Sequence, residues 1–262
     1  MKRMSSLVNF CVSFAATFVR ALFTLALVKA VSVFGGAGSL SALGVMQNSL
    51  AIGSSLATMS TQSGVSARLA SGADEQAFRH AIHISIFGLT FLGSAIGILY
   101  FFAITFPLNV YWFLFLLASA GLGCNGLVAS ALVGYGKLDK LVYMYFSSGL
   151  ATLIWVLISG SYNHFDFACS IGFGSWVGAS VGSFHIPKNR PFFNINVALA
   201  PQYAGLVKFG FSSLASVLSI NGVLLIARNS VLESGSGFDS DVFEVGIRLN
   251  SLLEMFIIVP MG

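Results

Sequence analysis

Four cations interrupt long apolar runs of this sequence: Arg20, Lys29, Lys208 and Arg228. A cation at the centre of a bilayer costs about 2.5–3.5 kcal/mol on insertion scales, so such a residue marks a place that faces water or an anion. The chemistry these residues suit is recognition of an anion. Arg20 is the sharpest case, near the midpoint of an apolar stretch over 7–34. Lys208 lies five residues into its run and Arg228 ends one, so for both the competing reading is a side chain that snorkels to the headgroups. Lys29 is intermediate. It lies nine residues from Arg20, on nearly the opposite face of an ideal helix, and joins the same cavity only at its mouth or across a bend.

The carboxylates are distributed differently. Asp74, Glu75, Asp139 and Asp166 fall between the apolar runs, which leaves Glu244 and Glu254 as the acidic groups placed to couple an ion gradient to transport. Export of cationic drugs usually draws on a carboxylate inside the bundle, and the first two thirds of the chain offer none. His83, His164 and His185 lie near run ends without metal spacing, and no phosphate-binding GxxxxGK[ST] loop or nucleophile motif occurs. No enzyme activity, cofactor or metal is expected. Cys11, Cys124 and Cys169 lie in separate apolar runs, which argues against disulfides and zinc.

The elements that carry these residues must be membrane helices. Of 262 residues, 56% are apolar and 8% charged, against roughly 25% charged in a soluble domain. Mean hydropathy is +0.87. These values exclude a soluble globule, a disordered chain and a nucleic-acid-binding protein. Runs long enough to cross a bilayer cover 7–34, 41–67, 81–106, 110–134, 141–160, 167–186, 203–227 and 242–262. Pro107, Pro187, Pro191 and Pro201 fall between them, where helix breakers belong. The first run shows no small-x-small cleavage site, so it is expected to remain as the first transmembrane helix. Lys2, Arg3, Arg68, Arg79, Lys137, Lys140, Lys188 and Arg190 share one side of this arrangement and Arg228 the other, which predicts a cytoplasmic N-terminus. The steps Gly174-x-x-x-Gly178-x-x-x-Gly182, together with Gly93 and Gly97, predict close helix crossings, within this chain rather than between copies.

Gly44-Val-Met-Gln-Asn48-Ser49-Leu50 resembles Gly246-Ile-Arg-Leu-Asn250-Ser251-Leu252, six spans later. An even spacing predicts parallel repeats. The expected architecture is an all-α polytopic membrane protein, with a six-helix N-terminal lobe over 1–200 and the first hairpin of a second, incomplete lobe over 201–262. A complete second lobe needs four more helices, and the sequence ends inside an apolar stretch, so a fragment or a natural truncation is expected. The hairpin is expected to stand unpartnered, with Glu244, Arg248 and Glu254 facing lipid or water.

The first hairpin, from Leu27-Val-Lys29-Ala through Phe34-Gly35-Gly36-Ala37-Gly38 and Gln47 to Gly64-Val-Ser-Ala-Arg68, resembles the O-antigen flippases of the Wzx type. These belong to the multidrug/oligosaccharidyl-lipid/polysaccharide exporter superfamily. The resemblance extends to Ala131-Leu-Val-Gly-Tyr-Gly136 and Leu206-Val-Lys208-Phe. It implies a two-lobed bundle around a central cavity in a bacterial inner membrane. The implied cargo is an undecaprenyl-pyrophosphate-linked oligosaccharide, turned from the cytoplasmic to the periplasmic leaflet, with Arg20, Lys29, Lys208 and Arg228 around the pyrophosphate. Membrane lipids and the polysaccharide polymerase machinery are the implied partners. The lipid III flippase of enterobacterial common antigen, a drug/cation antiporter of the same superfamily, and an inactive truncated remnant are the alternatives.

Overall fold

A computed structural model describes residues 2–72, 76–102, 110–186 and 201–257. They form α1 (Lys2–Phe34), α2 (Ser39–Thr58), α3 (Gln62–Ala70), α4 (Ala77–Phe102), α5 (Val110–Gly134), α6 (Leu138–Ser159), α7 (His164–Ser183), α8 (Pro201–Ser234) and α9 (Gly237–Ile257). Among the described residues, the segments Phe10–Phe34, Trp112–Gly134, Leu138–Ser159 and Gly205–Val231 are long and apolar enough to cross a membrane. Bulky apolar side chains point outward along these helices, including Phe18, Phe113, Ile158 and Phe211. That inversion of the soluble pattern is stable only in lipid. The chain is an all-α polytopic membrane protein.

The helix ends follow local chemistry. The turn between α1 and α2 needs φ of +75° at Gly36 and +86° at Gly38, a region glycine enters without steric cost. Asn163 caps α7 by accepting a hydrogen bond from the Asp166 N–H at 3.0 Å. Ser236 and Asp239 form a reciprocal box at the start of α9. The Ser236 N–H and hydroxyl donate to Asp239 at 3.0 and 2.8 Å, and the Asp239 N–H donates back to Ser236 Oγ at 3.3 Å. These caps lengthen the helices relative to the apolar runs. The polar stretch from Arg228 to Asp241, expected as a 14-residue connection from its composition, shrinks to the two residues between α8 and α9. Pro201 opens α8, where its missing N–H is no loss.

The run over 41–67 is broken into α2 and α3. Met59 and Ser60 both have φ of 48°, a left-handed conformation that costs non-glycine residues about 1–3 kcal/mol. Two neighbouring helices cross here at glycines. Gly210 of α8 lies directly on the Met59 carbonyl, and Gly88 of α4 lies over the Leu56 and Ala57 carbonyls.

α2 is the hub, touching α4, α5, α7, α8 and α9, while α1 packs mainly on α6 and α7 sits between α5 and α6. The Gly174, Gly178 and Gly182 steps seat α7 within this chain, against Thr152, Ser148 and Met144 of α6 and Val128 of α5. Gly93 does not mark a crossing: a Cβ there would meet nothing within 4 Å, because the helix turns that face away from its neighbours. Gly88 makes the α4 contact instead. Gly97 is on α4, and its surroundings lie outside what is described.

Two apolar clusters close the ends of the bundle. One joins Val65, Leu69, Phe78, Leu127, Leu132, Leu141, Met144 and Leu206 near the α5–α6 turn. The other joins Leu27, Val31, Leu40, Leu43, Val156 and Phe167 near the α1–α2 turn. Polar side chains of several helices line a cavity between them.

Candidate functional site: a polar cavity

Between the two apolar clusters lies a cavity of about 590 Å³, walled by α1, α2, α3, α5, α6, α7 and α8. Its size falls in the range of about 300–1,000 Å³ typical of small-molecule sites. Arg20 and Thr24 line it from α1, Gln47, Ser54 and Ser55 from α2, and Gln62 from α3. Asn125 and Ser130 of α5, Tyr145, Ser148 and Thr152 of α6, Ser175 of α7 and Asn221 of α8 complete the polar wall. Glycines make this wall accessible to polar groups: the Gln62 side chain lies on Gly126, and Asn125 Oδ1 faces Gly178. Asn125 Oδ1 is buried without a hydrogen-bond partner, an unmet acceptor that a hydroxyl donor would satisfy.

Among the described residues, Arg20 is the charged one of this lining, and no carboxylate joins it. Its guanidinium stands 5.9 Å from the centroid of the Tyr145 ring, a cation–π distance that orients the head without neutralising it. The docking of α1 on α6 fixes that placement. Phe23 seats on Gly149 and meets Phe146 edge to face at 5.4 Å.

The other expected site residues are dispersed. Lys29 and Lys208 are exposed and do not line the cavity. Arg228 neither snorkels nor faces the cavity: it is 4% exposed, and its Nε bonds Glu244 Oε2 at 2.6 Å. Glu244 is 1% exposed and also pairs with Arg248 at 2.8 Å. The hairpin is therefore not unpartnered, and Glu244 and Arg248 do not face lipid or water. The Glu244 carboxylate fits against the bare Cα of Gly44 on α2, a seat that any side chain at position 44 would fill. Glu254 is on α9, and its side chain lies outside the described residues.

Reading charges alone missed the amides. Gln62 and Asn125 stand in apolar runs and line the cavity. A neutral polar group in hydrocarbon is also costly unless it finds a partner.

Helices and cavity together define a multi-pass membrane protein built around a polar chamber. The same fold occurs in the solved inward-facing conformation of a multidrug resistance MATE family transporter of the MOP superfamily, with a TM-score of 0.59 and 17% sequence identity. The match covers 96% of this chain and 62% of that one, so the chain spans less than two thirds of that transporter's length. No family model matches the sequence, and no curated protein matches it.

Proposed function

We propose that this chain acts as a membrane transporter of the MOP superfamily, in the branch that turns over lipid-linked oligosaccharides, the Wzx-type O-antigen flippases. The observation that carries the reading is the cavity wall, which among the described residues has one cation, many neutral hydrogen-bonding groups and no carboxylate. Arg20 supplies the charge for a pyrophosphate through charge-assisted hydrogen bonds. The hydroxyl and amide side chains supply partners for sugar hydroxyls, while the polyprenyl tail stays in lipid. Lys29 and Lys208, exposed on α1 and α8, would attract the anionic headgroup from outside the cavity.

The test is ligand binding by the chain in nanodiscs, with undecaprenyl pyrophosphate and a pyrophosphate-linked glycolipid as probes. Arg20→Ala should weaken binding at least ~10-fold, the loss of one charge-assisted bond. Arg20→Lys should retain part of the affinity. Equal affinity in the alanine variant would remove Arg20 from the site. A second reading, a drug/cation antiporter, draws support from the fold shared with a multidrug transporter. Saturable binding of a lipophilic cation, with none of the pyrophosphate lipid, would favour it.

The orientation we propose is N-terminus in, at the bacterial inner membrane. Eight Lys and Arg residues on one side of the spans, against Arg228 on the other, support it. Reporter fusions after Gly136 should read as cytoplasmic and one after Asn163 as periplasmic. A cytoplasmic reading after Asn163 would reverse the orientation.

A further inference from the structure

The seam where α8 and α9 dock on α2 carries more positive charge than negative, away from water. Glu244 lies over the bare Cα of Gly44 and meets two guanidiniums, Arg228 of α8 at 2.6 Å and Arg248 of α9 at 2.8 Å. The three side chains are 5%, 1% and 11% exposed for Arg228, Glu244 and Arg248. One carboxylate does not serve both cations. Its hydrogen bond comes from Arg228 Nε, while Glu244 Oε1 and Arg248 Nε are close but outside hydrogen-bond geometry. Arg248 donates instead to Gln47 Oε1 at 2.8 Å, a neutral partner. Asp241, one turn before Glu244 on α9, is committed to the Gly38 and Ser41 N–H groups at 2.8 and 3.1 Å. The Arg228–Glu244–Arg248 triad thus keeps one uncompensated positive charge.

Two buried donors stand at the same seam. Arg228 Nη1 has no hydrogen-bond partner, and neither has Asn48 Nδ2. Arg228 is 4% exposed and Asn48 7%. Asn48 follows Gln47, which holds Arg248, and lies one turn beyond Gly44 on the face of α2 that seats Glu244. A buried donor without an acceptor forfeits its hydration, and a buried charge without a counter-charge forfeits far more. A water would satisfy the donors and leave the charge. From this geometry we infer that the seam binds a small monovalent anion, chloride, with Arg228 Nη1 and Asn48 Nδ2 as its donors. A monatomic anion accepts from a guanidinium and an amide at any angle, and it adds little bulk to a closely packed contact. Bound there, it brings the triad to neutrality and ties α8 to α2. None of the four side chains lines the polar cavity, so the site does not depend on which cargo that cavity takes.

The test compares melting midpoints of the chain in detergent, in sodium chloride and in sodium gluconate at equal ionic strength. Gluconate is too large for the seam. Chloride should raise the midpoint by at least ~3 °C, the effect of a ligand held well above its dissociation constant on a chain of this size. Bromide, of like charge and similar size, should replace it. Asn48→Leu and Arg228→Met should each abolish the difference between the salts. A role in packing alone would lower the midpoint in both salts and leave that difference intact. Where Arg228→Met does not fold, Asn48→Leu, which keeps every charge, decides alone. Glu244→Gln leaves two guanidiniums without a carboxylate and should enlarge the difference. Arg20→Ala removes the cation of the polar cavity and should retain it in full. Equal midpoints of the native chain in the two salts would overturn the site, as would a full chloride effect in Asn48→Leu. Loss of the effect in Arg20→Ala would place the anion in the polar cavity and overturn it equally.

Discussion

Gly88→Leu should abolish assembly of the bundle, while Gly93→Leu, five residues along the same helix, should leave it intact. A Cβ at Gly88 would lie 2.7 Å from the Leu56 carbonyl oxygen and closer still to that of Ala57. Both are main-chain atoms at the strained end of α2 and cannot swing aside as a side-chain tip can. Overpacking of a well-filled interior typically costs about 1–3 kcal/mol. A leucine against two fixed carbonyls lies at or above the top of that range. At Gly93 the same side chain would enter open space and meet lipid, where leucine is at home. The measurement is the monodisperse fraction and melting midpoint in detergent. Equal behaviour of the two variants would show that α4 does not cross α2 at Gly88.

Glu244→Leu should free α9 from α2. The substitution leaves Arg228 and Arg248 facing one another without their shared anion, and breaking a buried pair in this way costs about 3–5 kcal/mol. At 1.4 kcal/mol per tenfold, amide exchange across α9 should accelerate by at least ~100-fold. The triple variant Arg228→Met, Glu244→Leu, Arg248→Met should recover most of the protection, since an apolar replacement of a whole buried triad is often neutral. Fast exchange in the triple variant would show that the triad is needed as charge and not as volume. Slow exchange in Glu244→Leu alone would show that the pairing contributes little to docking.

Much of this protein was legible in its sequence. The membrane class follows from 56% apolar against 8% charged residues. The run over 110–134 coincides with α5, Val110–Gly134, because apolar length and flanking turn residues are local properties. Arg20 could be singled out because a charge in the middle of an apolar run is costly wherever the helix packs, and it lines the cavity. The GxxxG steps of α7 were legible for the same reason: small residues on one stripe serve close approach to whichever helix lies there.

Partner identity was not legible. Arg228 and Glu244 are 16 residues apart across a hairpin, and nothing local to either pairs them. The pairing exists because α8 and α9 dock together on α2, where Gly44 leaves room for the carboxylate. The choice of Gly88 over Gly93 and the break at Met59–Ser60 have the same origin. In a soluble helix the polar face shows which side is buried, but in lipid both faces are apolar and that signal vanishes. The sequence by itself therefore determined which segments are helices and which residues are too costly to face hydrocarbon. Only the tertiary structure decided which faces meet, which charges neutralise one another, and that Arg20 stands in the cavity while Arg228 is held against Glu244.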